Sequence, residues 1–180
     1  TWHFLQNTIL RAAHNESRHV FAEVGLISSH APWTPILSVL DDWEKIGDGS
    51  IFDMWENSGE SPRQLWKDMD RVRFNYALSI DYALQAMISY AALHVDESML
   101  LIAVGDHQAA RLIIGDNANR TVPVHVISGD PRLVQPFYEW GFRSGAFPDA
   151  NRIPPKMDAF RKWFVRAFTE DGAHKAIRRK

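Results

Sequence analysis

The stretch from Ser61 to His94, SPRQLWKDMDRVRFNYALSIDYALQAMISYAALH, constrains the fold more than any other part of the chain. Ser61 can cap a helix, Pro62 suits its first turn, and Gln64 completes a capping box. Leu65, Met69, Val72, Tyr76, Ile80, Ala83, Met87 and Ala91 then recur at steps of three and four, which puts them on one buried stripe. The spacing predicts a helix over 62–93, roughly 45–50 Å long at ~1.5 Å per residue, and leaves room for a kink. Asp96 to Ser98 reads as the turn after it.

The flanking segments predict strands. MLLIAVG (Met99 to Gly105) is apolar on both faces, as a central strand of a parallel sheet should be. TVPVHVIS (Thr121 to Ser128) reads as a second strand. HVFAEVGLISSH (His19 to His30) is β-branched and apolar, and reads as a strand over about 20–28 that ends in a loop before Pro32. From Ala31 to Gly59, Trp, Asp, Gly and Pro predict irregular surface structure with short strands near Ile36 and Ile51. Asp130 and Pro131 open a short helix that should stop at Gly141, with Pro136 weakening its first turns. Met157 to Phe168 is an amphipathic helix with Met157, Phe160, Trp163, Phe164 and Ala167 on one face. The fold class expected is α/β: a layered sheet with core strands near 20–28, 99–105 and 121–128, flanked by helices, one of them long. Residues 1–180 are expected to form a single domain, which their number suits.

Composition narrows the function. A net charge of −2 gives no strong field toward nucleic acid or anionic lipid. The basic cluster HKAIRRK (His174 to Lys180) reads as a solvated terminus. There are no cysteines, which excludes disulfides, thiolate metal sites and a Cys nucleophile. No run approaches the ~20 apolar residues of a membrane span. The chain opens at Thr1 within helix-like sequence, WHFLQNTILRAAH, and reads as the interior of a longer protein.

Candidate chemistry sits where apolar segments end. LLIAVGDHQ places Asp106 and His107 at the carboxyl end of a strand, where ligands bind in open sheets. A carboxylate and a neutral imidazole suit Zn²⁺, Mn²⁺ or another divalent ion; the same Asp could instead cap a helix. ISSHAPW sets His30 just after another apolar segment. His125 lies within VPVHVIS and reads as a packed histidine or a site-facing one. GDGSIFD offers Asp48 and Asp53 without the spacing of a calcium loop, GDNANR is a turn signature, and His3, His14 and His19 are scattered. Trp33, Trp43, Trp55 and Trp66 read as core, or as a wall of a substrate pocket.

Taken in order, these segments resemble the alkaline phosphatase/sulfatase superfamily, in particular its sulfatase-like branch that includes membrane-anchored phosphoglycerol and phosphoethanolamine transferases. YALSIDYALQ (Tyr76 to Gln85) matches the branch's Tyr-x-x-Ser-(Ile/Val) helix, and SMLLIAVGDHQ its strand ending in Asp-His. Val122, Pro123 and Val124 match a later VPL strand, and ISSHAPW a His-x-Pro-aromatic segment. The resemblance covers roughly Val20 to Asp130, and DPRLVQPFYEWGF continues it. It implies that Asp106 and His107 ligate a divalent metal (Zn, Mn, Mg or Ca) and that His30 contacts the transferred phosphate or sulfate. The parent would be a hydrolase or transferase of phosphate or sulfate esters. Its nucleophile is expected upstream of Thr1, since the family places it far before the His-x-Pro segment. Thr8, Asn15 and Ser17 have no nucleophile setting. The chain would then be the C-terminal portion of the catalytic domain, inactive alone, in a periplasmic or other extracytoplasmic place, with any membrane anchor in a region before Thr1. Two departures stand out: Gln108 replaces the family's Gly after Asp-His, and Leu84 stands where the family helix often carries Asp, Asp81 being displaced. The alternative is a non-catalytic binding domain of the same fold, or one that docks a partner through its Trp-rich segment.

Overall fold

A computed structural model describes residues 1–116, 119–149 and 151–169. The basic cluster at His174 to Lys180 and part of the GDNANR turn lie outside the described residues. The chain divides into two compact units, Thr1–His94 with Ala109–Ala118, and Val95–Gln108 with Asn119–Lys180.

The first unit is built on the long helix. Ser61 accepts from the Gln64 backbone N–H while the Gln64 side chain returns to the Ser61 backbone, so the capping box forms as its residues predict. It starts only one turn, α3 (Pro62–Leu65) in order after α1 (Trp2–Phe4) and α2 (Arg11–Asn15), which are joined by a π-helical turn over Leu5–Leu10. A break follows at Trp66, and α4 (Met69–His94) carries the rest. The break has a local cause: the Asp68 carboxylate accepts from the N–H groups of Asp70 (3.0 Å) and Arg71 (3.3 Å) and so caps a new helix. Leu65 and Val72, both from the expected stripe, are fully buried and cluster with Trp33 and Ile113, the latter from the short α5 (Arg111–Ile114). At the other end of α4, Trp2 stacks on Tyr90 at 4.5 Å, and the Tyr90 hydroxyl donates to Gln6 Oε1 at 2.9 Å.

The strand expected over about 20–28 does not form; these residues have no regular structure. Its apolar side chains have no layer to enter: Phe21 is 86% and Ile27 84% exposed. The short strands expected near Ile36 and Ile51 are likewise absent, and Trp43–Ile46 and Ser50–Trp55 are 3₁₀ turns.

The second unit contains β1 (Leu100–Val104) and β2 (Val124–Ser128), which the sequence places correctly. They pair antiparallel, Leu100 opposite Ser128 and Ile102 opposite Val126, rather than as neighbours in a parallel sheet. A parallel pair needs a crossover element packed on the sheet; among the described residues the connection here holds the four-residue α5. Among the described residues the sheet has two strands, so the broader layered sheet is not seen. Gly129, after β2, packs so tightly on the Asp96 turn that a Cβ would lie 2.6 Å from the Asp96 carbonyl carbon.

Asp130 caps α6 (Pro131–Glu139), accepting from the Arg132 N–H at 2.8 Å. The helix ends as predicted before Gly141, whose φ of +91° suits glycine. Gly141 N–H donates to Tyr138 and Phe142 N–H to Phe137, a Schellman closure with the Phe137 and Phe142 rings 5.4 Å apart. Fully buried Phe137 and half-buried Trp140 gather Phe160 and Trp163 of α7 (Asp158–Phe168) into the aromatic core of this unit. No helix among the described residues is long and apolar enough to cross a membrane.

Two outcomes follow from this packing. Leu65→Ala should lower unfolding stability by about 2–5 kcal/mol, read from the denaturant midpoint at an unchanged slope. Hydrogen bonds from the Arg132 side chain, then its backbone N–H, hold the Asp130 carboxyl below its usual value of 3.8 against a smaller opposing effect of burial. A lowered carboxyl pKa contributes stability that is complete above the unfolded value and fades as pH falls through the folded one. The gap in thermal midpoint between the native chain and Asp130→Asn should therefore be present at pH 7 and close progressively below pH 3.8.

Candidate functional site

Two residues past the end of β1, the chain turns through Gly105 and presents Asp106 and His107 to solvent, their side chains 88% and 74% exposed. Gly105 N–H donates to the Pro123 carbonyl at 3.1 Å, which extends the pairing with the β2 side by one bond. The position is the one anticipated, at the carboxyl end of an apolar strand.

The local hydrogen bonds decide what these side chains can do. Asp106 Oδ1 accepts from the His107 backbone N–H at 2.9 Å. His107 Nδ1 lies 2.7 Å from the Gln108 carbonyl oxygen. A carbonyl only accepts, so Nδ1 carries the proton and, in the neutral imidazole, Nε2 carries the lone pair. The remaining donor atoms, Asp106 Oδ2 and His107 Nε2, face each other at 3.5 Å. Two ligands of one tetrahedral cation with ~2.1 Å bonds sit about 3.4 Å apart. The pair is thus spaced to share a cation, with each group steadied by a backbone partner as metal ligands usually are. When the imidazole is protonated, the same geometry is an exposed ion pair. Among the described residues no group of three or more His, Asp or Glu is gathered to hold a metal.

Gln108, which stands in place of the glycine of the resembling family, ties this turn down. Its side-chain amide donates to the Thr121 carbonyl, just before β2.

His30 belongs to the first unit, Asp106 and His107 to the second. His30 is exposed in a turn closed by its N–H to the Ile27 carbonyl (3.0 Å), and its Nδ1 lies 2.9 Å from the Ala31 carbonyl. Here too Nδ1 is the donor and Nε2 is left for another partner. The turn is anchored through its neighbour Trp33, which is buried with φ +58°. Trp33 stacks on Trp66 at 5.5 Å, meets Tyr76 edge-on at 5.3 Å, donates from Nε1 to Ser29, and accepts from Asn75 at its carbonyl. Asn75 is a positioning residue that its sequence gave no reason to single out; its only signal is a polar side chain beside the apolar stripe.

The remaining candidates resolve simply. Trp33 is core and so offers no docking surface, whereas Trp43 lines a cavity and donates to Ser89 Oγ at 3.0 Å. Trp55 packs on Phe52 at 5.9 Å. His125 is half-buried in β2 opposite Ala103. Asp48 Oδ1 accepts from Ser50 N–H in a tight turn, and that hydrogen bond lowers its pKa. His3 pairs with the Asn7 amide.

The ring assignment at the exposed turn is checkable by nitrogen-15 NMR: with the imidazole neutral, His107 should show a protonated Nδ1 and an unprotonated Nε2. The opposite tautomer would remove the facing lone pairs. No family model, curated protein or solved structure matches this chain.

Proposed function

We propose that this chain supplies one arm of a divalent-metal site in a hydrolase or transferase of phosphate or sulfate esters, as its resemblance to the sulfatase-like branch implies. The observation that supports the reading best is the 3.5 Å approach of Asp106 Oδ2 and His107 Nε2, each with its companion atom already engaged by backbone. In this reading Asp106 and His107 hold the cation. A mixed oxygen and nitrogen pair favours Zn²⁺ or Mn²⁺ over Mg²⁺ or Ca²⁺, which prefer oxygen alone. Such a cation, when bound, neutralises charge on the ester's non-bridging oxygens and activates a nucleophile. The reading assigns no nucleophile to this chain.

Titration of the chain with ZnCl₂ or MnCl₂ by calorimetry should give one saturable site of modest affinity. Asp106→Ala and His107→Ala should each weaken it at least tenfold, while His30→Ala leaves it unchanged. Equal binding heats in all four proteins would end the assignment of ligands.

A further inference from the structure

Past Gly105, the turn that carries Asp106 and His107 is fastened to the chain facing it by one hydrogen bond. Among the described residues, the bonds of Asp106 and His107 stay within residues 106–108, and the Gln108 side-chain amide makes the one that leaves the turn, to the Thr121 carbonyl. A carbonyl only accepts, so the amide turns its NH₂ group toward Thr121. That anchor is itself held: Asn119 Oδ1 accepts from the Thr121 N–H at 3.0 Å and from the Thr121 hydroxyl. Gln108 is half-buried, whereas Asp106 and His107 are exposed.

The same residue also faces the imidazole. The Gln108 backbone carbonyl oxygen lies 2.7 Å from His107 Nδ1, the contact that keeps the ring proton on Nδ1 and the lone pair on Nε2. In water such a bond contributes little unless its acceptor is held in place, because solvent competes for both partners. No backbone–backbone hydrogen bond fixes residues 106–108 among the described residues. The side-chain bond to Thr121 is therefore what sets the direction of the Gln108 carbonyl.

We propose that Gln108 is the positioning residue of the Asp106–His107 pair: fastened to Thr121, it aims its own carbonyl at His107 Nδ1 and so leaves the Nε2 lone pair facing Asp106 Oδ2, 3.5 Å away. Its value to a cation rests on the metal reading above, whereas its hold on the tautomer does not. A side chain here that lacks a donor, or falls short of Thr121, releases the carbonyl and lets the proton pass to Nε2, where it blocks ligation, since a metal-bound imidazole nitrogen must be unprotonated.

The test compares the full native chain with two variants by nitrogen-15 NMR, at a pH where the His107 ring is neutral. Gln108→Met matches the length without a donor, and Gln108→Asn keeps the amide one methylene short. In either variant the ratio of Nδ1–H to Nε2–H tautomer at His107 should fall about three- to tenfold, the worth of one hydrogen bond, while the amide signals of Leu100–Val104 keep their native positions. A merely structural role would lower stability and leave that ratio in place. Calorimetry with ZnCl₂ should show binding weakened by at least the factor by which the Nδ1–H fraction falls. The tautomer shift in both variants of a chain that binds no zinc would leave the positioning role standing and end the metal reading instead. An unchanged tautomer ratio in either variant, or native zinc affinity in a variant whose ratio has moved, would overturn the proposal.

Discussion

The burial of Trp33 against α4 is the contact on which the rest of the first unit depends. The residues before and after it have almost no regular structure of their own, so their backbone must find partners from outside. Trp33 provides them: its ring fills the space between Trp66, Tyr76 and Leu65, its indole N–H takes up the Ser29 carbonyl, and its own carbonyl receives Asn75. A left-handed backbone at a bulky residue is costly. Here it is held by buried stacking and by a hydrogen bond at each end of the residue. The exposed His30 turn inherits its fixed position from that anchor.

The same division between rigid support and exposed chemistry recurs in the second unit. The β1–β2 pair and the Gln108 bond to Thr121 hold the turn, and the Phe137 cluster gives the unit its core. The Asp106 and His107 side chains stand in water. Their chemical character comes from the backbone: one carboxylate oxygen and one ring nitrogen are engaged, and the two unengaged atoms face each other. In bulk solvent such a pair has little stabilising value as an ion pair.

Legibility in the sequence followed the range of the interactions. The capping box at Ser61, the Asp130 cap and the Gly141 stop rest on contacts within a few residues, and the strands at 100–104 and 124–128 on unbroken apolar runs, so their sequence patterns identify them. The break at Trp66 was harder to read because Asp68 can either continue a helix or cap a new one, and the choice depends on where Trp66 packs. The segment at 20–28 has the composition of a strand but no neighbouring edge to bond with, and composition alone does not create a partner. In the site, the Asp-His position was readable, whereas the tautomer of His107, the role of Asn75 and the tether from Gln108 to Thr121 were not, since each depends on atoms brought near by folding.

By itself, then, the sequence determined the capping box at Ser61, the helices after Asp130 and Met157, the two apolar strands, and the kind of chemistry that the 106–107 turn can offer, because side-chain type and local spacing suffice for these. Tertiary structure alone decided that the strands pair antiparallel, that the chain divides into two units, that Trp33 is core while Trp43 lines a cavity, and which lone pairs are left exposed. The physical reason is that pairing direction, burial and hydrogen-bond competition are settled between residues far apart in sequence, where no local pattern carries the information.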